Sequence, residues 1–105
     1  MTNVVLSPEA ESDLVRIGDY IASQSGSSKT ALSTIRKIKD RIDELKQFPL
    51  IGKMLSAVVV VDTDYRFVGC GSYLVFYRYE DGNVFVDRIL HGKQDYVSIL
   101  VGEQY

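Results

Sequence analysis

The spacing of apolar residues changes once along this chain, close to Gly52, and that change constrains the fold more than any other feature. Before it, two apolar stripes recur at helical spacing, and a polar turn containing Gly26 separates them. After it, short runs rich in β-branched and aromatic residues alternate with turn residues, which is typical of strands. Two helices followed by several strands predict an α+β fold rather than an alternating α/β fold.

Capping residues predict where the helices begin and end. A short strand at about residues 2–6 precedes Ser7-Pro8-Glu9. In that tripeptide the serine is the expected N-cap, the proline suits the first helical position and the glutamate is favoured by the helix dipole. Ser27 or Ser28 is available to cap the second helix, and Pro49 marks its end. The two helices therefore form an αα-hairpin.

The residues beyond Gly52 predict the sheet. The strand-like runs are Ala57 to Val61, Tyr65 to Val68, Tyr73 to Tyr79 and Val84 to Leu90. Asp81-Gly82 separates the last two, as expected for a hairpin turn. Gln94 to Leu100 predicts a short C-terminal helix. We expect one α+β domain over residues 1–105, in which the N-terminal strand and the αα-hairpin pack on an antiparallel sheet of about four strands. The opposite face of the sheet, or a groove near the C-terminus, is then left for function.

Composition excludes several classes of protein. The single cysteine, Cys70, excludes a disulfide within the chain and favours the cytoplasm. The N-terminus lacks a basic region followed by an apolar run, which predicts no signal peptide. The longest apolar run, Ala57 to Val61, is too short to cross a bilayer. We therefore expect a cytoplasmic protein without a membrane partner.

Charge and ligand chemistry give further expectations. The formal net charge is −2, and residues 49–105 hold the excess of acidic side chains. This balance indicates no general affinity for nucleic acid. His91 is the single histidine, and neither it nor Cys70 lies in a metal-ligand spacing, so we expect no metal site and no cofactor.

Four segments, taken in order, resemble one family of bacterial proteins. They are Leu6-Ser7-Pro8-Glu9-Ala10-Glu11-Ser12-Asp13-Leu14 with Tyr20-Ile21, Phe48-Pro49-Leu50-Ile51-Gly52, Tyr65-Arg66-Phe67-Val68 through Tyr73-Leu74-Val75-Phe76-Tyr77-Arg78, and Asp87-Arg88-Ile89-Leu90-His91-Gly92-Lys93-Gln94-Asp95-Tyr96. Together they resemble the RelE/ParE toxins of type II toxin–antitoxin (plasmid stabilisation) systems. The closing segment is closer to the ParE branch.

The resemblance implies a growth-inhibiting toxin whose groove is filled by a cognate antitoxin. ParE-like members inhibit DNA gyrase, whereas RelE-like members are ribosome-dependent mRNA endoribonucleases. Two arginines that the RelE branch leads us to expect are replaced here by Tyr73 and Gln94, and the sheet half of the chain is acidic. We therefore favour gyrase inhibition. An mRNA endoribonuclease is the first alternative, and a non-toxic protein that binds an antitoxin is the second. The oligomeric state stays open.

The candidate site residues depend on which activity is present. Cleavage of RNA without a metal requires a base, a cation and an acid. The candidates for those roles, if the protein is a ribonuclease, are Arg66, Arg88, His91, Lys93 and Tyr96. The candidates for contact with a target are Arg66, Tyr73, Arg88 and Lys93.

Structural roles are open for the same residues. His91 is suited to hold the end of its strand beside Gly92 through a hydrogen bond. The strand arginines can pair with acidic side chains, and for Arg78 we favour that role, with Asp64, Glu80 or Asp87 as partners. Strand tyrosines are more often packing residues than stacking platforms for bases.

Overall fold

A computed structural model describes residues 2–102 of the chain. The elements in chain order are β1 (Asn3–Leu6), α1 (Pro8–Ser25), α2 (Ser28–Glu44), β2 (Lys53–Met54), a 3-10 turn (Leu55–Ala57), β3 (Arg66–Cys70), β4 (Tyr73–Glu80), β5 (Asn83–His91) and α3 (Tyr96–Val101). The α+β class, the αα-hairpin and the short C-terminal helix are confirmed.

The five strands form one mixed sheet with the order β1-β5-β4-β3-β2. The pairs β2–β3, β3–β4 and β4–β5 are antiparallel, as expected from the sequence. β1 instead runs parallel to β5, with Asn3 opposite Asn83 and Leu6 opposite Val86. The helical hairpin separates β1 from the other strands along the chain, so no local sequence pattern indicates this pairing.

The predicted caps are present at both helices. The Ser7 side chain accepts a hydrogen bond from the Ala10 N–H, and the Ser27 side chain accepts one from Thr30. α1 ends at Gly26, which has a left-handed backbone (φ 67°) and donates its N–H to the Ala22 carbonyl. The turn between the helices is therefore short, and it holds them side by side.

Apolar side chains cover both faces of the sheet. On one face, α1 and α2 pack on the strands in a cluster that includes Leu14, Ile17, Ile38, Val75, Val84 and Ile89. On the other face, a second cluster is built from Leu55, Phe76 and Leu90, with Val59, Val61, Tyr96 and Leu100 packed against them. The second face is thus covered by the segment around residues 55–65 and by α3, so it is not the open functional surface that the sequence suggested.

The strand predicted at Ala57 to Val61 is wrong. The chain forms the 3-10 turn and bends there, and the 2-residue β2 lies just before it. Leu55 is fully buried, and its N–H donates to the Tyr65 carbonyl at 2.9 Å. Burial of Leu55 in the second cluster therefore overrides the strand preference of the valines that follow it.

The predicted hairpin between β4 and β5 is confirmed. Asp81 and Gly82 form its turn, and both have positive φ values, 51° and 76°. That combination belongs to a type I′ turn, whose twist matches the twist of the strands it joins. Among the described residues, no helix is long and apolar enough to cross a membrane.

Candidate functional site

A carboxylate on α1, Asp13, lies buried at the edge of the sheet. Its exposed fraction is 1%, although it carries a charge. One of its oxygens accepts hydrogen bonds from Arg88 Nε at 2.8 Å and from the Ile89 N–H at 2.9 Å. The other accepts from Arg88 Nη2 at 2.9 Å and from Arg16 Nη1 at 3.1 Å. Each oxygen of the Asp13 carboxylate therefore accepts two hydrogen bonds, as a buried charge requires.

The sheet edge explains why a carboxylate is placed there. β1 ends opposite Val86, so the outer edge of β5 beyond that point has no strand partner among residues 2–102. A bulge follows, because Tyr77 pairs with Val86 while Phe76 pairs with Arg88. Side chains then take the place of a neighbouring strand: Ser7 Oγ donates to the Asp87 carbonyl at 2.7 Å, and Asp13 accepts the Ile89 N–H.

Gln94 completes this edge at the end of β5. Its side-chain oxygen accepts the His91 N–H at 2.8 Å, and its own N–H donates to the His91 carbonyl at 3.0 Å. A glutamine can do this because its amide has an acceptor, whereas an arginine has none. The residue that departs from the expected arginine therefore has a clear structural role in this chain.

His91 and Tyr73 pack together beside Gln94. Their rings meet edge to face, with centroids 5.4 Å apart and an angle of 82° between planes. Burial raises the pKa of Tyr73 above its ordinary value, and Tyr20 adds to that increase. His91 Nδ1 accepts the Lys93 N–H at 3.1 Å, so the histidine does hold the strand end through a hydrogen bond.

A cleft of about 570 Å³ lies between α1 and the turn that closes β5. We call it the cationic cleft. It is lined by Asp13, Arg16, Ile17 and Tyr20 of α1 and by Ser72, Tyr73, Ile89, His91, Lys93 and Gln94 of the sheet side. Tyr73, His91 and Lys93 were candidates from the sequence. Asp13, Arg16 and Tyr20 were missed, because only the fold brings α1 beside the end of β5.

The five ribonuclease candidates do not meet at one point. His91 and Lys93 share the cationic cleft. Arg88 lies beside the cleft, where it is hydrogen-bonded to Asp13. Tyr96 packs on Phe76 with ring centroids 5.2 Å apart, on the other face of the sheet. Arg66 pairs with Tyr77, whereas His91 pairs with Tyr73. Four strand positions separate those partners along β4, which corresponds to about 13 Å.

Arg66 instead takes part in holding the turn after α2. It donates to the Gly52 carbonyl at 3.0 Å. The buried Tyr77 hydroxyl donates to the Pro49 carbonyl at 2.8 Å and accepts the Gly52 N–H at 2.9 Å. A Cβ at position 52 would lie 2.5 Å from that hydroxyl, so only glycine fits. The segment Pro49-Leu50-Ile51-Gly52, which carries part of the family resemblance, is therefore a structural feature of the turn.

Arg78 forms the pairs expected for a strand cation. It donates to Asp87 at 2.7 Å and to Glu80 at 3.0 Å. The hydrogen bond with Asp87 is the main reason that the pKa of Arg78 rises above its usual range. Burial and then Asp87 raise the pKa of nearby Tyr65 to about 12. Arg78 and Asp87 lie away from the cationic cleft and form an ion pair between β4 and β5.

A second surface lies on the other flank of α1, where α1 meets α2. It is a groove of about 590 Å³, which we call the α1–α2 groove. Its lining includes the small residues Gly18, Ala22 and Ala31 and the exposed apolar side chains Val15 and Leu32. Val15 is 65% exposed and Leu32 is 67% exposed. Both side chains therefore lie on the groove instead of in the core.

Metal ligands do not cluster in the described part of the chain. Residues 2–102 contain no group of three or more His, Cys, Asp or Glu side chains that could hold a metal ion.

Comparison with known proteins agrees with this architecture. A solved structure described as the chromosomal ParDE TA system from P. aeruginosa superposes with a TM-score of 0.74 at 19% sequence identity, over 87% of this chain and 96% of that one. At that identity the likeness shows a shared fold. No curated protein matches the sequence. A family model described as the ParE toxin of the type II toxin–antitoxin system, parDE, matches residues 4–96. This chain therefore belongs to the ParE toxin family of type II toxin–antitoxin systems.

Proposed function

We propose that this protein is the toxin of a type II toxin–antitoxin pair, that it arrests growth by inhibiting DNA gyrase, and that a cognate antitoxin neutralises it. Family membership supports the toxin role. The choice of gyrase rests on the ParE-like closing segment and on one structural observation, the separation of the ribonuclease candidates. Because gyrase acts on the chromosome, the proposal places the toxin in the cytoplasm.

The separated candidates favour binding over catalysis. An acid and a base must lie within hydrogen-bond reach of the atoms whose protons they move. Arg88 is engaged with the buried Asp13, and Arg66 is engaged with the turn at Gly52. His91 and Lys93 remain close together, but the histidine already uses Nδ1 to accept the Lys93 N–H. We therefore assign the exposed residues of the cationic cleft to partner contact.

The α1–α2 groove is the surface that we assign to the antitoxin. Large apolar side chains that stay exposed on a small protein often mark a protein interface. The small residues on the groove floor would let an amphipathic helix approach closely, and Val15 and Leu32 would be covered by its apolar face. An antitoxin helix of this kind matches the apolar lining better than an extended polar segment would.

The test is to induce the gene without its antitoxin and to follow DNA synthesis and protein synthesis separately. We expect DNA synthesis to stop first while translation continues, and we expect the purified toxin to inhibit supercoiling by gyrase. Co-expression of the antitoxin should restore growth. A prompt stop in protein synthesis would instead favour the mRNA endoribonuclease, and continued growth would favour a non-toxic antitoxin-binding protein.

A further inference from the structure

The cationic cleft carries a local positive charge on a protein whose formal net charge is −2. Arg16 and Lys93 line the cleft, and the Arg16 side chain is 66% exposed. Asp13 is the acidic residue of the lining, and its two oxygens are shared by Arg88 and Arg16. Two guanidinium groups thus share one carboxylate and keep one net positive charge between them. Lys93 adds a second, so the cleft can attract an anion.

The walls of the cleft suit a ligand that is partly apolar. Tyr20 is 61% exposed, and Tyr73 and His91 form a paired aromatic wall opposite α1. Ser72 also belongs to the lining, and its hydroxyl is a neutral hydrogen-bond donor. Since His91 Nδ1 accepts the Lys93 N–H, Nε2 is the ring nitrogen that can donate a hydrogen bond. Cations, neutral donors and aromatic rings thus meet in one confined space.

We propose that the cationic cleft binds one carboxylate side chain, together with a neighbouring apolar residue, on an acidic peptide segment of the protein that the toxin inhibits. This inference rests on the proposed function in assuming that the target is a protein. A carboxylate is matched by the arginine and lysine through charge-assisted hydrogen bonds. The aromatic walls then provide contact area for the residue beside it.

A nucleic acid fits this surface less well. Binding to a polyanion depends on many cations that neutralise successive phosphates. Here two cations line the cleft among the described residues, Asp95 follows Gln94 directly, and residues 49–105 are acidic overall. The cleft is therefore matched to a single anionic group rather than to a chain of them.

A direct test uses NMR titration of the full-length toxin with two small peptides. The first is acetyl-aspartyl-phenylalanine amide, and the second replaces the aspartate with asparagine. We expect saturable shifts at Tyr20, Tyr73 and Lys93 with the aspartyl peptide and much weaker shifts with its amide analogue. Inorganic phosphate and a short single-stranded DNA are titrated in parallel. Equal binding of both peptides, no binding, or tighter binding of phosphate or DNA at these residues would overturn the inference.

Variants make the test specific for the lysine. We expect Lys93→Gln to weaken binding of the aspartyl peptide by about tenfold, the loss typical of one charge-assisted hydrogen bond. Lys93→Arg should retain binding, because the charge and the donors remain. Lys37→Gln, on the exposed surface of α2, is the matched control and should have no effect. An unchanged affinity in Lys93→Gln would contradict the assignment.

The same experiment separates this inference from the proposed function. If the induced toxin stops DNA synthesis but the aspartyl peptide does not bind, the inference is wrong and the function stands. If the peptide binds in the cleft while DNA synthesis continues in induced cells, gyrase inhibition is wrong and the carboxylate site stands.

Discussion

The two flanks of α1 differ in how they are built. The α1–α2 groove is an apolar surface with exposed Val15 and Leu32 and a floor of small residues. The cationic cleft is built over a buried ion pair, Asp13–Arg88, which joins α1 to β5 across 75 sequence positions. The exposed groove residues Val15 and Leu32 can therefore change with little effect on folding, whereas the cleft depends on a contact that the whole fold must assemble.

The α1–α2 groove and the cationic cleft also recognise partners by different physical means. An apolar groove gains affinity from burial of side chains, and it selects a partner mainly by shape. A cleft with fixed cations selects by charge and gains affinity only where the partner supplies the matching group. On the proposals made above, one flank of α1 contacts an amphipathic antitoxin helix and the other contacts an acidic segment of the target.

The largest effect on stability should come from Asp13→Ala, which removes the buried carboxylate of the Asp13–Arg88 ion pair. Arg88 would lose its buried partner and the Ile89 N–H would lose its acceptor. We expect the free energy of unfolding to fall by about 3–5 kcal/mol, as found when one partner of a buried pair is removed. Chemical denaturation measures this, with the exposed Asp40→Ala as control. A loss similar to that of the control would show that the cleft does not depend on the ion pair.

A change in the groove should affect the antitoxin instead of the fold. We expect Leu32→Lys to weaken antitoxin binding by about 2 kcal/mol, the size of an interface hot spot, because an ammonium group would replace the apolar contact. Since Leu32 is 67% exposed, unfolding should change by less than about 0.5 kcal/mol. Calorimetric titration with the antitoxin and thermal unfolding measure the two effects. If the affinity for the antitoxin is unchanged, the antitoxin binds to another surface.

Gln94→Arg tests whether the glutamine completes the edge of β5. The His91 N–H would lose its side-chain acceptor, and we expect a loss of about 1 kcal/mol in stability. Amide hydrogen exchange at His91 should become faster, while exchange in α2 should not. Gln94→Glu is the matched control, because it keeps an acceptor oxygen. If both variants protect the His91 amide equally, the hydrogen bond to Gln94 does not hold the strand end.

The smallest structural effect should come from Lys93→Gln. The lysine is exposed, so unfolding should change by less than about 0.5 kcal/mol and antitoxin affinity should stay within about twofold. Growth arrest after induction should nevertheless weaken, because the cleft would lose one of its cations. A parallel loss of antitoxin affinity would show that the two flanks of α1 form one continuous binding surface.

Local patterns were sufficient for several elements. Ser7 and Ser27 cap the helices as expected, and Asp81-Gly82 forms the predicted hairpin turn. These features depend on residues a few positions apart, so the sequence carries them directly. The strand predicted at Ala57 to Val61 is wrong because burial of the preceding Leu55 decides the local conformation.

The candidate site was only partly predictable. Tyr73, His91 and Lys93 were singled out and do lie together in the cationic cleft. Their partners Arg16 and Tyr20 carry no local signal, since charged and aromatic residues on a helix surface are common. The resemblance grouped Arg66 and Tyr96 with them, but the structure places Arg66 at the start of β3, opposite Tyr77, and Tyr96 on the other face of the sheet.

By itself the sequence determined the α+β class, the helix starts, the closing hairpin and the family, because each rests on short-range preferences or on the order of motifs. The tertiary structure alone decided that β1 pairs with β5 in parallel, that Asp13 is buried against Arg88 and that Gln94 completes a strand edge. The physical reason is that an unpaired strand edge and a buried charge exist only after distant segments meet, and each then demands a hydrogen-bond partner that no local pattern specifies.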